Sequence, residues 1–177
     1  EGSFSSIENT TPSSSLIRNA IFGSFQDYIV APVGFGCTTN CGTISYYTIG
    51  TAPFRKTIIN FNGLNYFNCT GLDARKAYFQ LVLSETTNEI DVNVQDKPLP
   101  CLGNSSANGN GNSLIGLNNA DGTIGVAAPG RNTSEFAVTN ESYKFTPSGA
   151  SATTVVWTNQ FGVSLGNSNP IEVIPPQ

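Results

Sequence analysis

Residues 77–95 read AYFQLVLSETTNEIDVNVQ. In the first half, Ala77, Phe79, Leu81 and Leu83 alternate with Tyr78, Gln80, Val82 and Ser84. In the second half, Ile90, Val92 and Val94 alternate with Glu89, Asp91, Asn93 and Gln95. A strand sends successive side chains to opposite faces, so a period of two gives one apolar face and one polar face. Wound as a helix, the second half would present no continuous apolar stripe. Glu85-Thr86-Thr87-Asn88 separates the halves with turn-forming residues. The stretch therefore predicts an antiparallel hairpin with one face in a core and the other in water.

The same texture extends outward from this hairpin. Residues 43–49 and 54–61, joined by Gly50-Thr51-Ala52-Pro53, predict a second hairpin. Residues 113–117 and 123–127, around Asn118-Asn119-Ala120-Asp121-Gly122, predict a third. Residues 136–138 and 142–146 add two further strands that end at Pro147. Upstream, LIRNAIFGSFQDYIV (16–30) is apolar enough for one buried strand, bent at Gly23. Residues 1–15 are Ser- and Thr-rich and read as a loose arm, and GNSSANGNGN (103–112) reads as a loop. No window offers helical periodicity with caps. Some eight to ten short strands with turns between them predict an all-β, antiparallel β-sandwich or jelly-roll-like fold over residues 1–149.

Beyond Pro147-Ser148-Gly149 the texture changes. Residues 153–157, 163–165 and 171–174 read as opening strands of an Ig/PKD-like module over 150–177, or as strands completing the first sandwich. A full immunoglobulin-like domain needs roughly 100 residues, so a truncated tandem neighbour is the expectation.

Composition limits the function. Charged residues are 11% of the chain, where soluble domains carry roughly 25%. Asn, Ser and Thr together number 56, and the net charge is −4. Disorder is disfavoured because the apolar residues are grouped into strand-length runs. Eight scattered basic residues leave no electrostatic footprint for nucleic acid. No run approaches the ~18 apolar residues of a membrane span. Position 1 is Glu and the chain has no Met, which predicts a processed chain or a fragment of a longer one. Five Asn-x-Ser/Thr sequons, at Asn9, Asn68, Asn104, Asn132 and Asn140, match the about four that composition alone produces. They do not mark a glycoprotein.

The four cysteines are Cys37, Cys41, Cys69 and Cys101, and there is no His. A zinc site is disfavoured, and an even count in an exported chain predicts disulfides. Three pairings are open. Cys37–Cys41 as a loop clip with Cys69–Cys101 as a longer bridge is the favoured one.

Without His, Ser or Cys nucleophiles lack their usual base. Glu89 and Asp91 share a strand face with side chains about 7 Å apart, which fits glycosidase geometry loosely. Their plain reading is solvation of a hairpin's outer face. Asp27 lies in an apolar run and is a candidate metal ligand, against a strand-end acid that satisfies loop amides. Asn119 and Asp121 offer hard oxygens for calcium, but the loop lacks the repeated Asp spacing of a dedicated site and reads more simply as a turn. Tyr46, Tyr47, Tyr66 and Phe67 are candidates for stacking on sugars. Tyr66 and Phe67 stand before Cys69 in an expected loop, where core packing is the competing reading.

Several segments, in order, resemble one family. They are RNAIFGSFQDY, GTISYYTIGTAPFRKTIINFNGLNYFNC, FQLVLSETTNEIDVNVQDKPLPC, SLIGLNNADGTIGVAAPGRN and FAVTNESYKFTPSG. Over residues 16–149 the chain resembles β-rich modules of large Bacteroidetes surface proteins exported by type IX secretion, among them gliding-motility adhesins. Gln26 departs from the His usual beside the acid matching Asp27, and the family's further upstream strands are not in this sequence. The resemblance implies a stalk or tip module and no enzyme.

The expected function is a non-catalytic structural or adhesive module, extracellular and on the cell surface, presenting loops such as 62–72 and 102–112. Expected partners are a surface polysaccharide or other adhesion target and neighbouring domains of the same polypeptide, with no nucleic acid and no membrane insertion. The alternatives are a carbohydrate-binding module with a platform at Tyr66, or a subunit of an extracellular filament or fibre.

Overall fold

The computed structural model describes residues 11–12, 17–30, 42–66, 75–99, 112–148, 157–158 and 164–166. Among them every regular element is a strand. They are β1 (Ala20–Phe25), β2 (Tyr28–Ile29), β3 (Thr43–Ile49), β4 (Lys56–Tyr66), β5 (Lys76–Ser84), β6 (Ile90–Lys97), β7 (Leu114–Asn118), β8 (Gly125–Ala127), β9 (Val138–Phe145), β10 (Trp157–Thr158) and β11 (Ser164–Gly166). The chain divides into two units, Glu1–Thr146 and Pro147–Gln177. In the second, β10 and β11 pair antiparallel.

The first unit is an antiparallel sandwich of two sheets. The larger runs β2-β4-β5-β6-β9, with β3 also paired to β4, and the smaller runs β1-β7-β8. The hairpin at 77–95 is its centre. Leu81 pairs with Val92 and Phe79 with Val94, and these four side chains lie on the covered face. Ile115, Ala128, Phe136 and Val138 close the core with them, and Leu64 and Ala77 extend it. Each fully buried aliphatic or aromatic side chain contributes roughly 1.5–3 kcal/mol.

The two sheets approach closely at Gly23. A Cβ there would stand 2.8 Å from Leu81 Cδ2 and 3.0 Å from Phe79 Cε2, so only glycine lets β1 lie on β5. The run 16–30 is not one bent strand. It leaves the small sheet after Phe25 and joins the large one at Tyr28, which pairs with Tyr66. Gln26 anchors the crossing, because its Oε1 accepts a bond from the Ser113 hydroxyl at the start of β7.

Three other expectations shift. The strand expected at 54–61 runs on to Tyr66. Gly63, at φ +69°, absorbs a bulge between Phe61 and Leu64, so residues 62–66 are strand and not a presented loop. Residues 136–138 and 142–146 are not two strands either, since β9 runs through Asn140 at φ 54°. The arm at 1–15 is fixed at Thr11. Its N–H donates to Asn132 Oδ1 at 3.0 Å, Asn132 Nδ2 donates back to its carbonyl at 2.9 Å, and its hydroxyl donates to Leu117 O at 2.7 Å. Cys37, Cys41, Cys69, Cys101 and Phe67 lie outside the described residues, as do positions 100–111 and 171–174.

Candidate functional site

The outer face of the large sheet carries an uncharged polar row. Ser45 pairs with Asn60, Asn60 with Gln80, Gln80 with Asn93, and Asn93 with Ser142, one residue from each of five neighbouring strands. Asn60, Gln80, Asn93 and Ser142 each sit one position from residues packed in or against the core, so the pleat turns them to the opposite side, and Ser45 follows by its pairing with Asn60. The three central amides are bonded in series. Asn93 Nδ2 donates to Gln80 Oε1 at 3.4 Å, and Gln80 Nε2 donates to Asn60 Oδ1 at 2.7 Å. That leaves Asn60 Nδ2 as a donor at one end and Asn93 Oδ1 as an acceptor at the other, neither partnered among the described residues. Reversing all three amides would reverse the direction and still leave one end of each kind.

The row floors an open groove of about 570 Å³, with Tyr78, Asn62, Gln95 and Asn140 along its margin. Gln95 is the extra residue of a bulge, which falls where the pairing passes from Phe79–Val94 to Tyr78–Asp96. Glu141 also lines the groove, but its carboxylate is held by Arg131 at 3.1 Å and by the Tyr143 hydroxyl. Those two bonds hold the Glu141 carboxyl below its ordinary range.

The candidates singled out in the sequence are dispersed. Tyr66 is 0% exposed, its hydroxyl donates to Pro98 O, and its ring lies tilted against Tyr28 with centroids 5.1 Å apart, so it offers no face to a ligand. The platform expected at Tyr66 is therefore corrected: the bulge at Gly63 prolongs β4 and carries the ring into the interior. Tyr46 and Tyr47, on β3, are exposed. Asp121 Oδ1 accepts from the Thr123 amide and hydroxyl, and Asn119 Oδ1 accepts from the Ile124 amide, so both close their own turn. Asp27 lies at the crossing between sheets, where burial pushes its carboxyl up. No three His, Cys, Asp or Glu residues are grouped to hold a metal among the described residues. Glu89 and Asp91 share one cation, with Lys144 Nζ at 3.2 Å and 3.4 Å. A carboxylate pair that shares one ammonium in this way is a cross-strand ion network.

Nothing in the sequence singles out Lys97. It is fully buried, its Nζ donating to Phe136 O at 2.9 Å and lying 4.3 Å over the Phe136 ring. Burial, and secondarily the charge of Arg131, push its amine down to about 8.

A family model described as NIDO related matches residues 2–159. No curated protein and no solved structure matches the chain.

Proposed function

Because this chain belongs to the NIDO-related family, whose domains are of extracellular type, we propose that it is a non-catalytic adhesive module that binds an uncharged, hydroxyl-rich polysaccharide. The observation that carries the reading is the amide series Asn93–Gln80–Asn60 on the outer face of the large sheet. A sugar hydroxyl both donates and accepts, and the series offers it one end of each kind. The Ser45 and Ser142 hydroxyls prolong the row to both edges, a span suited to a linear chain of rings. The sharing of Lys144 by Glu89 and Asp91 favours binding over hydrolysis. The parent would be a surface protein of the type IX-exported, gliding-adhesin kind, whose modules the segments at 16–149 resemble.

The test is affinity electrophoresis of the intact protein on uncharged glucans, mannans and galactans, beside an anionic polysaccharide. Binding to an uncharged chain is expected. Asn60→Ala or Asn93→Ala should weaken it by about tenfold or more while the protein stays folded, since each removes one of the two end groups open to the sugar and only one internal bond. Binding that survives both substitutions, or that goes only to the anionic chain, would sink the assignment. So would no binding at all by the folded protein.

A further inference from the structure

The two lateral edges of the large sheet are built differently. β9 carries Glu141 and Lys144 and breaks its extended backbone at Asn140, φ 54°. Charges and irregular backbone are the usual guards of an edge against another chain. β3, TISYYTI, has none of them: no charge, no proline, no glycine and no positive φ from Thr43 to Ile49. All seven residues are exposed, with Ile44 at 47%, Tyr46 at 79%, Tyr47 at 46% and Ile49 at 48%. Among the described residues β3 pairs only with β4, so its other edge offers a free row of amides and carbonyls. A seven-residue, uncharged stretch rich in β-branched and aromatic residues has the composition of strands that pair with their own kind.

We infer that the occupant of this edge is β3 of a second copy of the chain, aligned antiparallel about Tyr46 so that the two large sheets become one. The sequence is self-complementary in that register. On the outer face Thr43 of one copy meets Ile49 of the other and Ser45 meets Tyr47, a small side chain beside a large one each time. On the opposite face Ile44 meets Thr48, and the two Tyr46 rings meet at the two-fold axis. Antiparallel neighbours keep their faces, so the outer side of one copy continues the outer side of the other. No like charges confront each other along the seam. The contact is isologous and closes at two.

Sedimentation equilibrium of the intact protein, up to about 0.1 mM, should give a dimer in the micromolar range. Tyr46→Lys, at a side chain already exposed, should leave the melting temperature unchanged and abolish the dimer. Tyr46→Glu should do the same, and mixing the two variants should restore a mixed dimer, because this register alone brings the two positions face to face. A dimer that survives Tyr46→Lys overturns the inference, as does failure of the mixture to pair. A monomer whose β3 amides resist hydrogen exchange assigns the edge to a segment of the same chain. A monomer whose β3 amides exchange freely leaves the edge without an occupant. Either monomer overturns the inference while leaving the polysaccharide groove intact.

Discussion

At Lys97 an amine lies in the apolar interior, against the carbonyl and ring of Phe136 and beneath the Tyr66 ring at 5.9 Å. The strict alternation of 90–95, extended by two residues, would turn Asp96 inward and Lys97 to water. The extra residue at Gln95 reverses that order, and nothing in the local composition announces a bulge without Gly. Lys97 was therefore hidden for the same reason that Val92 and Val94 were plain. Its burial has a pH consequence. Below about pH 8 the amine is charged in both states and the burial penalty is carried in full. Between about 8 and the ordinary 10.5, the unfolded chain holds a proton that the folded one has released, so stability rises with pH. Above pH 10 the buried Tyr28 hydroxyl, pushed up to about 12 by burial, opposes this, because the unfolded chain then ionises more easily. Urea denaturation should show stability climbing by roughly 2 kcal/mol from pH 8 to 10. Lys97→Met should flatten the profile, and a wild-type profile that is flat or falling would mean the amine is hydrated.

Among the elements, legibility followed locality. β3 and the β5–β6 hairpin could be read because their patterns lie within one or two adjacent strands. β4 runs beyond the expected 54–61 because Asn62-Gly63, a turn by composition, is here a bulge within a continuing strand. β9 likewise continues through Asn140, a residue of turn composition, at φ 54°. The run 16–30 is plainly apolar but not plainly divided, because Gln26-Asp27 brings no Gly, Pro or Asn to the crossing and an apolar run does not specify its sheet. What can be worked out for β1 is the consequence of Gly23. A larger side chain there must displace Leu81 and Phe79, so Gly23→Val should cost about 2–3 kcal/mol by chemical denaturation. Gly130 has φ +68° and no atom within 4 Å of the place a Cβ would take, so Gly130→Ala should cost only about 1 kcal/mol of backbone strain. Equal costs would show that β1 does not rest on β5.

For the molecule as a whole, the groove could not have been found from sequence. Ser45, Asn60, Gln80, Asn93 and Ser142 are unremarkable polar residues until five strands take their registers. The Tyr66 platform failed for the complementary reason, since a residue beside an expected loop became the end of a buried strand. Those same registers divide the molecule in time. β4, β5 and β6 follow one another in the chain, and the link between β5 and β6 is a tight turn, whereas Ala20 must find Asn118 before the small sheet exists. Closing so long a loop is disfavoured until a surface is ready to receive it. The large sheet's centre should therefore form first and serve as the template on which β1 and β7 condense. Pulse-labelled hydrogen exchange during refolding should find the amides of Val82 and Val92 protected before those of Phe22 and Ile115. Simultaneous protection would mean that both sheets nucleate together. In the expected order, a chain still emerging during synthesis would hold the uncovered side of Phe79 and Leu81 open until β7 arrives. That interval is when this protein most needs shielding from its neighbours.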